Sequence, residues 1–122
     1  MIVNLPALRI LQIGDRGNLA TERVHIEALR ECDLGYYLLV ATVEIAPGRV
    51  YAGLRPAFWF SSQQVRAGDH IIVYTRQGMP STEFRDDGHM NYFYYWGATM
   101  AFFGPIPTAR AVLAELNMWQ TA

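Results

Sequence analysis

The stretch PAFWFSSQQVRAGDHIIVYTRQG, residues 56–78, decides the fold class. Phe58, Trp59 and Phe60 are consecutive aromatics, which favour a pleated, half-buried surface. Ala67, Gly68 and Asp69 form a turn signal, because glycine reaches a positive φ without steric cost. Ile71, Ile72, Val73, Tyr74 and Thr75 are β-branched or aromatic at every position, and a helix of that composition would restrict χ1 at nearly every residue. Arg76, Gln77 and Gly78 end the run. The stretch reads as strand, turn, strand, and its two strands are expected at the middle of a sandwich.

Outward from this pair, most segments read as further strands. Residues 7–13 (ALRILQI) form a first one, closed by the turn cluster Gly14-Asp15-Arg16-Gly17-Asn18. Residues 36–45 (YYLLVATVEI) form another, ended by Pro47 and Gly48. Residues 78–89 are polar and expected as a surface loop. Residues 92–96 (YFYYW) start a strand that runs on through Phe103 with a kink at Gly97, until Gly104-Pro105-Ile106-Pro107 breaks it. Two segments remain open. Residues 21–31 read as a helix capped by Thr21, or as a strand with Val24, Ile26 and Ala28 opposite Arg23, His25 and Glu27. Residues 108–120 read as a helix capped by Thr108 or as a closing strand. Turn signals every 8–12 residues imply an all-β, antiparallel sandwich of about seven to nine strands. Helices do not alternate with strands as a parallel α/β sheet requires.

A chain of 122 residues is expected to form one domain, with residues 1–6 as a loose lead-in. With 52% hydrophobic and 17% charged residues it can build a core without metal or disulfide support. A net charge of −1 gives no general attraction to nucleic acid or anionic lipid. All ten basic residues are arginine, and a surface without lysine lacks the commonest guard of exposed strand edges. Cys32 is the only cysteine and lies between Glu31 and Asp33, which oppose a thiolate. The N-terminal MIVNLPALRILQIGDR lacks the regions of a secretory signal, and no run approaches the roughly 20 apolar residues of a membrane helix. A cytoplasmic location, or export within a larger assembly, is the corresponding expectation.

Taken in order, the segments resemble a lamin-tail-type domain, an immunoglobulin-like β-sandwich. LRILQI with its Gly/Asp loop resembles that family's opening strand, and ERVHIEAL its Glu-x-Val-x-Ile segment. DLGYYLL resembles the signature Asp-Leu-x-Gly-Trp-x-Leu, one residue shorter and with Tyr36 where tryptophan is usual. FWFSSQQVRAGDHIIVYTRQG resembles the aromatic strand, turn and valine-rich strand that follow, and YYWGATMAFFG occupies the place of a later Trp-containing strand. The chain departs from the pattern at 104–108, where GPIPT replaces an Asn-Asn-x-Gly-Asp type of turn. The resemblance implies that 21–31 and 108–120 are strands. It also implies a binding or scaffolding module rather than an enzyme, with no cofactor.

The residues themselves offer little catalytic chemistry. His25 and Glu27 share a strand face and could in principle hold a metal, though a solvent-facing pair is the simpler reading. His70 opens a strand as a turn residue. Glu83, Asp86, Asp87 and His89 concentrate ligand-type groups in one loop, without the spaced acids of a calcium site and with Arg85 among them. Nucleophile elbows, phosphate loops and dinucleotide fingerprints are missing. In the aromatic strand, Tyr92, Tyr94 and Trp96 share one face and Phe93 and Tyr95 the other. One face should pack inside and the other meet a loop or a partner. Tyr92, Tyr94 and Trp96 are the candidate partner-binding residues, because Tyr, Trp and Arg dominate interface hot spots. The expected function is a non-catalytic module for protein contact or self-assembly. The alternatives are a structural or decoration subunit of a virion or secretion apparatus, and a small ligand- or metal-binding protein or enzyme acting at the 83–89 loop.

Overall fold

In the computed structural model, which describes residues 6–104 and 106–122, alternation of residue type becomes alternation of burial. Among the described residues the strands are β1 (Leu8–Gly14), β2 (Arg23–Ala28), β3 (Cys32–Asp33), β4 (Tyr37–Ala46), β5 (Arg49–Val50) and β6 (Ala57–Trp59). They continue as β7 (Gln64–Val65), β8 (His70–Arg76), β9 (Ser81–Phe84), β10 (Met90–Ala98) and β11 (Ala109–Glu115), with a single 3-10 turn at Leu34–Tyr36. The expected all-β class holds. No helix among the described residues is long and apolar enough to cross a membrane. The lead-in expected at 1–6 lies outside the described residues except for Pro6.

The first sheet has the order β1-β2-β8-β10-β9. The second has β4 at its centre, with β11 on one side and β5 and β6 on the other, and β3 pairs with β7 separately. Every ladder is antiparallel except β8 with β10, which runs parallel. The reason is the short edge strand β9. The link at 77–80 carries the chain past one ladder position, roughly 10 Å at about 4.8 Å per strand. The turn after β9 then sends β10 back into that position, between β8 and β9. The polar stretch expected as a loop therefore contains a strand, whose four residues are all exposed.

Both open segments are strands. Val24, Ile26 and Ala28 of β2 are closed to solvent, as a strand paired on both edges by β1 and β8 requires. β11 pairs with β4 at seven successive positions, from Ala109 opposite Val43 to Glu115 opposite Tyr37. Tertiary pairing overrides helix propensity in both.

The central stretch is not a hairpin. β6 pairs with β4 in the second sheet, whereas β8 sits in the middle of the first, so the two strands face each other across the core. Asp33 diverts the link between them. Its carboxylate accepts the Gly35 N–H at 2.8 Å, the Ser62 hydroxyl at 2.7 Å and the Gln63 N–H at 3.1 Å. The Leu34 N–H donates back to the Gln63 carbonyl at 3.0 Å, and β7 then pairs with β3. The core cluster draws on both sheets: Leu8, Val24, Ile26, Ile71 and Val73 from the first meet Leu39, Ala41 and Ala109 from the second. Phe60 and Phe103 close it.

Candidate contact surface

The aromatic strand β10 ends at Ala98, with Gly97 at φ 87° where the kink was expected. Its parallel register sets Tyr92 beside Ile71 and Tyr94 beside Val73, both core residues, so the Tyr92, Tyr94 and Trp96 face turns inward. Tyr94 meets Phe58 and Phe60 edge-on at 5.9 and 5.3 Å, and Trp96 meets Phe58 at 6.0 Å and Phe102 at 5.1 Å. Burial raises the Tyr94 phenol above its ordinary value, and nearby Tyr92 adds to the effect. Of the three candidate contact residues, Tyr94 and Trp96 are thus engaged with rings of their own chain. On the opposite face Tyr95 stacks on Tyr74 at 5.3 Å, with the Arg76 guanidinium 5.0 to 5.2 Å from the two rings.

Tyr92 opens onto a cleft of about 520 Å³ shared with Gln64, Arg66, Asp69, Phe84 and His89. Asp69 is buried there and accepts the Arg66 N–H at 2.8 Å and the Met90 N–H at 2.9 Å. The Nδ1 atom of His89 lies 3.8 Å from Asp69 Oδ1, and its ring covers Gly68 so closely that a Cβ there would meet Nδ1 at 2.7 Å. Arg85 organises the turn: its guanidinium donates to both Asp87 oxygens at 3.1 and 2.9 Å and to the Gly68 carbonyl at 2.9 Å. Arg85 first, and then the His89 N–H, hold the Asp87 carboxyl below the ordinary range. Among the described residues no Ser, Thr or Cys hydrogen-bonds to the His89 imidazole, and no group of three or more His, Cys, Asp or Glu is arranged to hold a metal.

The outer face of β2 is likewise committed. Glu27 accepts from Arg9 at 2.6 Å and lies 3.7 Å from His70 Nε2, instead of joining His25. The Nε2 of His25 is enclosed without a hydrogen-bond partner, and burial, then Arg23 and His70, lower its pKa below 6.5. Cys32 is half-buried and its thiol is pushed up, chiefly by burial.

The outer face of the second sheet is different. Tyr37, Leu39 and Ala41 of β4 point into the core, which puts Leu38, Val40 and Thr42 on the outer face. Leu38 and Val40 are half-buried there, and Thr42 is covered, its hydroxyl donating to the Tyr51 carbonyl at 2.7 Å. Register then builds apolar rows across the strands: Trp59, Leu38 and Ala114 in one, Ala57, Val40 and Val112 in the next. Trp59 is 47% exposed, with its indole N–H on the Gly35 carbonyl at 2.8 Å and Trp119 edge-on at 5.1 Å. Further along the same face is a hollow of about 310 Å³ walled by Val40, Thr42, Val50, Tyr51, Arg55 and Val112. Arg55 Nε donates to the Ala41 carbonyl at 3.1 Å, and its guanidinium lies 6.0 Å from the Tyr51 ring. At the rim Arg110 and Glu44 approach to 3.6 Å.

An antiparallel sheet normally shows water a polar face. This face is apolar across three strands, and the candidate residues on β10 do not contribute to it. Its signal in the sequence is the run at 37–43, apolar at nearly every position rather than at alternate ones. No protein-family model, curated protein or solved structure matches the chain.

Proposed function

We propose that the protein is a non-catalytic contact module of the lamin-tail type, an immunoglobulin-like β-sandwich that acts by binding a protein surface. The observation that carries this reading is the apolar outer face of β11, β4 and β6. Rows of Leu38, Val40, Ala57, Trp59, Val112 and Ala114 lie side by side without a charged residue among them. A contiguous apolar patch left open to solvent marks an interaction site. Trp, Tyr and Arg at one margin supply the residue types from which hot spots are made. In this reading the β10 aromatics hold the two sheets together, and partner contact passes to Trp59 and Tyr51.

Oxidative footprinting tests the assignment. Trp59, Tyr51 and Trp119 should label slowly when the protein is in its native extract and fast when it is purified and dilute. Equal, fast labelling in both settings would remove the contact role.

The 83–89 cleft supports a second reading, because Asp69 sits beside His89 in a concave site. In that reading the site binds a small ligand. Protein purified without chelator, then heated with and without divalent cations, should show a thermal shift that disappears in His89→Ala.

A further inference from the structure

We infer that the module's partner is a second copy of this chain: the outer faces of two second sheets meet about a two-fold axis, and Trp59 of each copy enters the Tyr51–Arg55 hollow of the other. This rests on the contact-module reading and names its partner.

Register sets the distance between indole and hollow. Trp59 stands opposite Leu38, whereas the hollow lies against Val40 and Thr42, two to four residues further along β4. Four residues span roughly 13 Å at about 3.3 Å per residue. The half-exposed Trp59 indole and most of the hollow lie toward the edge of β4 that β11 leaves free, where β6 and β5 both pair, and Val112 of β11 forms the hollow's far wall. Now place a two-fold axis in the plane of the face, perpendicular to β4, between the two features. The rotation reverses position along the strands and preserves position across them. Each Trp59 therefore lands on the partner's hollow, and the contact is made twice, as an isologous interface requires. The strands of the two faces then lie within about 30° of each other, the aligned arrangement of packed sheets.

Charge permits this contact. The rows between indole and hollow are uncharged, and Arg110 and Glu44 at the rim already face each other at 3.6 Å. Arg55 stands at the hollow, where an incoming indole face offers a guanidinium its preferred aromatic partner. The hollow is also built. A Cβ at Gly53 would run into the Tyr51 ring, so glycine at 53 lets that ring lie down and form the wall.

Size agrees as well. Trp59, Trp119 and Tyr51 are 47%, 57% and 47% exposed. With aromatics burying about 150–250 Å² each when enclosed, the three supply roughly 300 Å². The apolar rows and the exposed Val50 add to this, toward the roughly 800 Å² per partner of a standard interface. Trp119 lies at the Trp59 end, and the hollow is walled without it.

Sedimentation velocity across a wide concentration range, with circular dichroism of each variant, is the test. Wild-type protein should dimerise. Trp59→Ala, which removes the indole, and Ala57→Trp, which fills the hollow from an exposed position, should each raise the dissociation constant at least about thirtyfold. An equimolar mixture of the two variants should form a heterodimer that neither forms alone, because one intact indole meets one intact hollow. The mixture keeps the test decisive even if one variant is less stable. A wild-type monomer at every concentration overturns the inference, as does a dimer indifferent to both substitutions. In either case, slow labelling of Trp59 in native extract would leave the contact role standing with a foreign partner. Fast labelling there would remove both.

Discussion

The Thr75 hydroxyl donates to Glu22 Oε2 at 2.6 Å, with both side chains closed to solvent. Glu22 accepts three further bonds: Phe102 N–H at 2.9 Å on the same oxygen, Gly17 N–H at 2.9 Å and Phe103 N–H at 3.0 Å on the other. A carboxylate buried without a cation is stable only when donors fill its lone pairs, and these four do so. They come from the loop after β1, from β8 and from the segment after β10, so one side chain joins three parts of the chain at the end of the first sheet.

Replacing Glu22 by alanine leaves those four donors unsatisfied at once. We expect a loss of about 3–5 kcal/mol, large against the 5–15 kcal/mol of a typical domain. Glu22→Gln keeps the shape but turns an NH2 toward backbone N–H groups, and should cost about 2 kcal/mol. Thr75→Val should cost about 1–2 kcal/mol. Urea midpoints would rank the three.

Tyr94 and Trp96 both contact Phe58 across the gap between the sheets. Each alanine substitution should destabilise by about 2–4 kcal/mol, as expected for a large ring lost from a partly closed interior. Their shared neighbour makes the effects non-additive, so a double-mutant cycle should return a coupling of about 0.5 kcal/mol or more. Footprinting at Trp59 should be unchanged in any variant that still folds.

His25 supplies a pH dependence. Burial, Arg23 and His70 hold its folded pKa below 6.5, so the unfolded chain takes up the proton more readily. The contribution is complete above pH 6.5 and is lost as pH falls through the lowered folded value. Wild type should therefore lose stability relative to His25→Phe as the medium becomes acidic, read from unfolding free energies at a series of pH values. A constant difference across that range would show that the site does not titrate.

Asp33 connects stability to the proposed contact. Its carboxylate holds the Gly35 and Gln63 N–H groups and the Ser62 hydroxyl, and the Gly35 carbonyl in turn holds the Trp59 indole. Gly35, Ser62 and Gln63 lower its pKa below 3.8, so this contribution is present above that pH and fades as the carboxyl is protonated. Asp33→Ala should cost about 1–2 kcal/mol and shift the fluorescence of Trp59. In a dimer it should also weaken association, because the indole loses its fixed orientation.

Much of the architecture was legible from composition and pattern. The β-branched run at 71–75 became the central strand of the first sheet, and the apolar run at 36–45 became the central strand of the second. The turn at 67–69 and the kink at Gly97 stand where their residues indicated. Pairing partners were not legible. Residues 57–59 and 70–76 look like a hairpin because the signals at 61–69 are turn-like, yet Asp33, nearly thirty residues earlier in the chain, captures that link and separates the strands. Residues 81–84 carry almost no strand signal and join the sheet because a returning β10 offers them a ladder. The inward packing of Tyr94 and Trp96 was hidden for the same reason. Alternation along β10 defines two aromatic faces, but not which of them meets the second sheet.

Local chemistry alone determined that this chain would be built from strands, since branched and aromatic side chains restrict the helical alternative residue by residue. Local chemistry also determined where those strands would turn. Which strands became neighbours, which direction β10 runs, and which apolar face was left uncovered were decided only in three dimensions. Those outcomes depend on hydrogen bonds and ring contacts between residues far apart in sequence, and no window of the chain contains both partners.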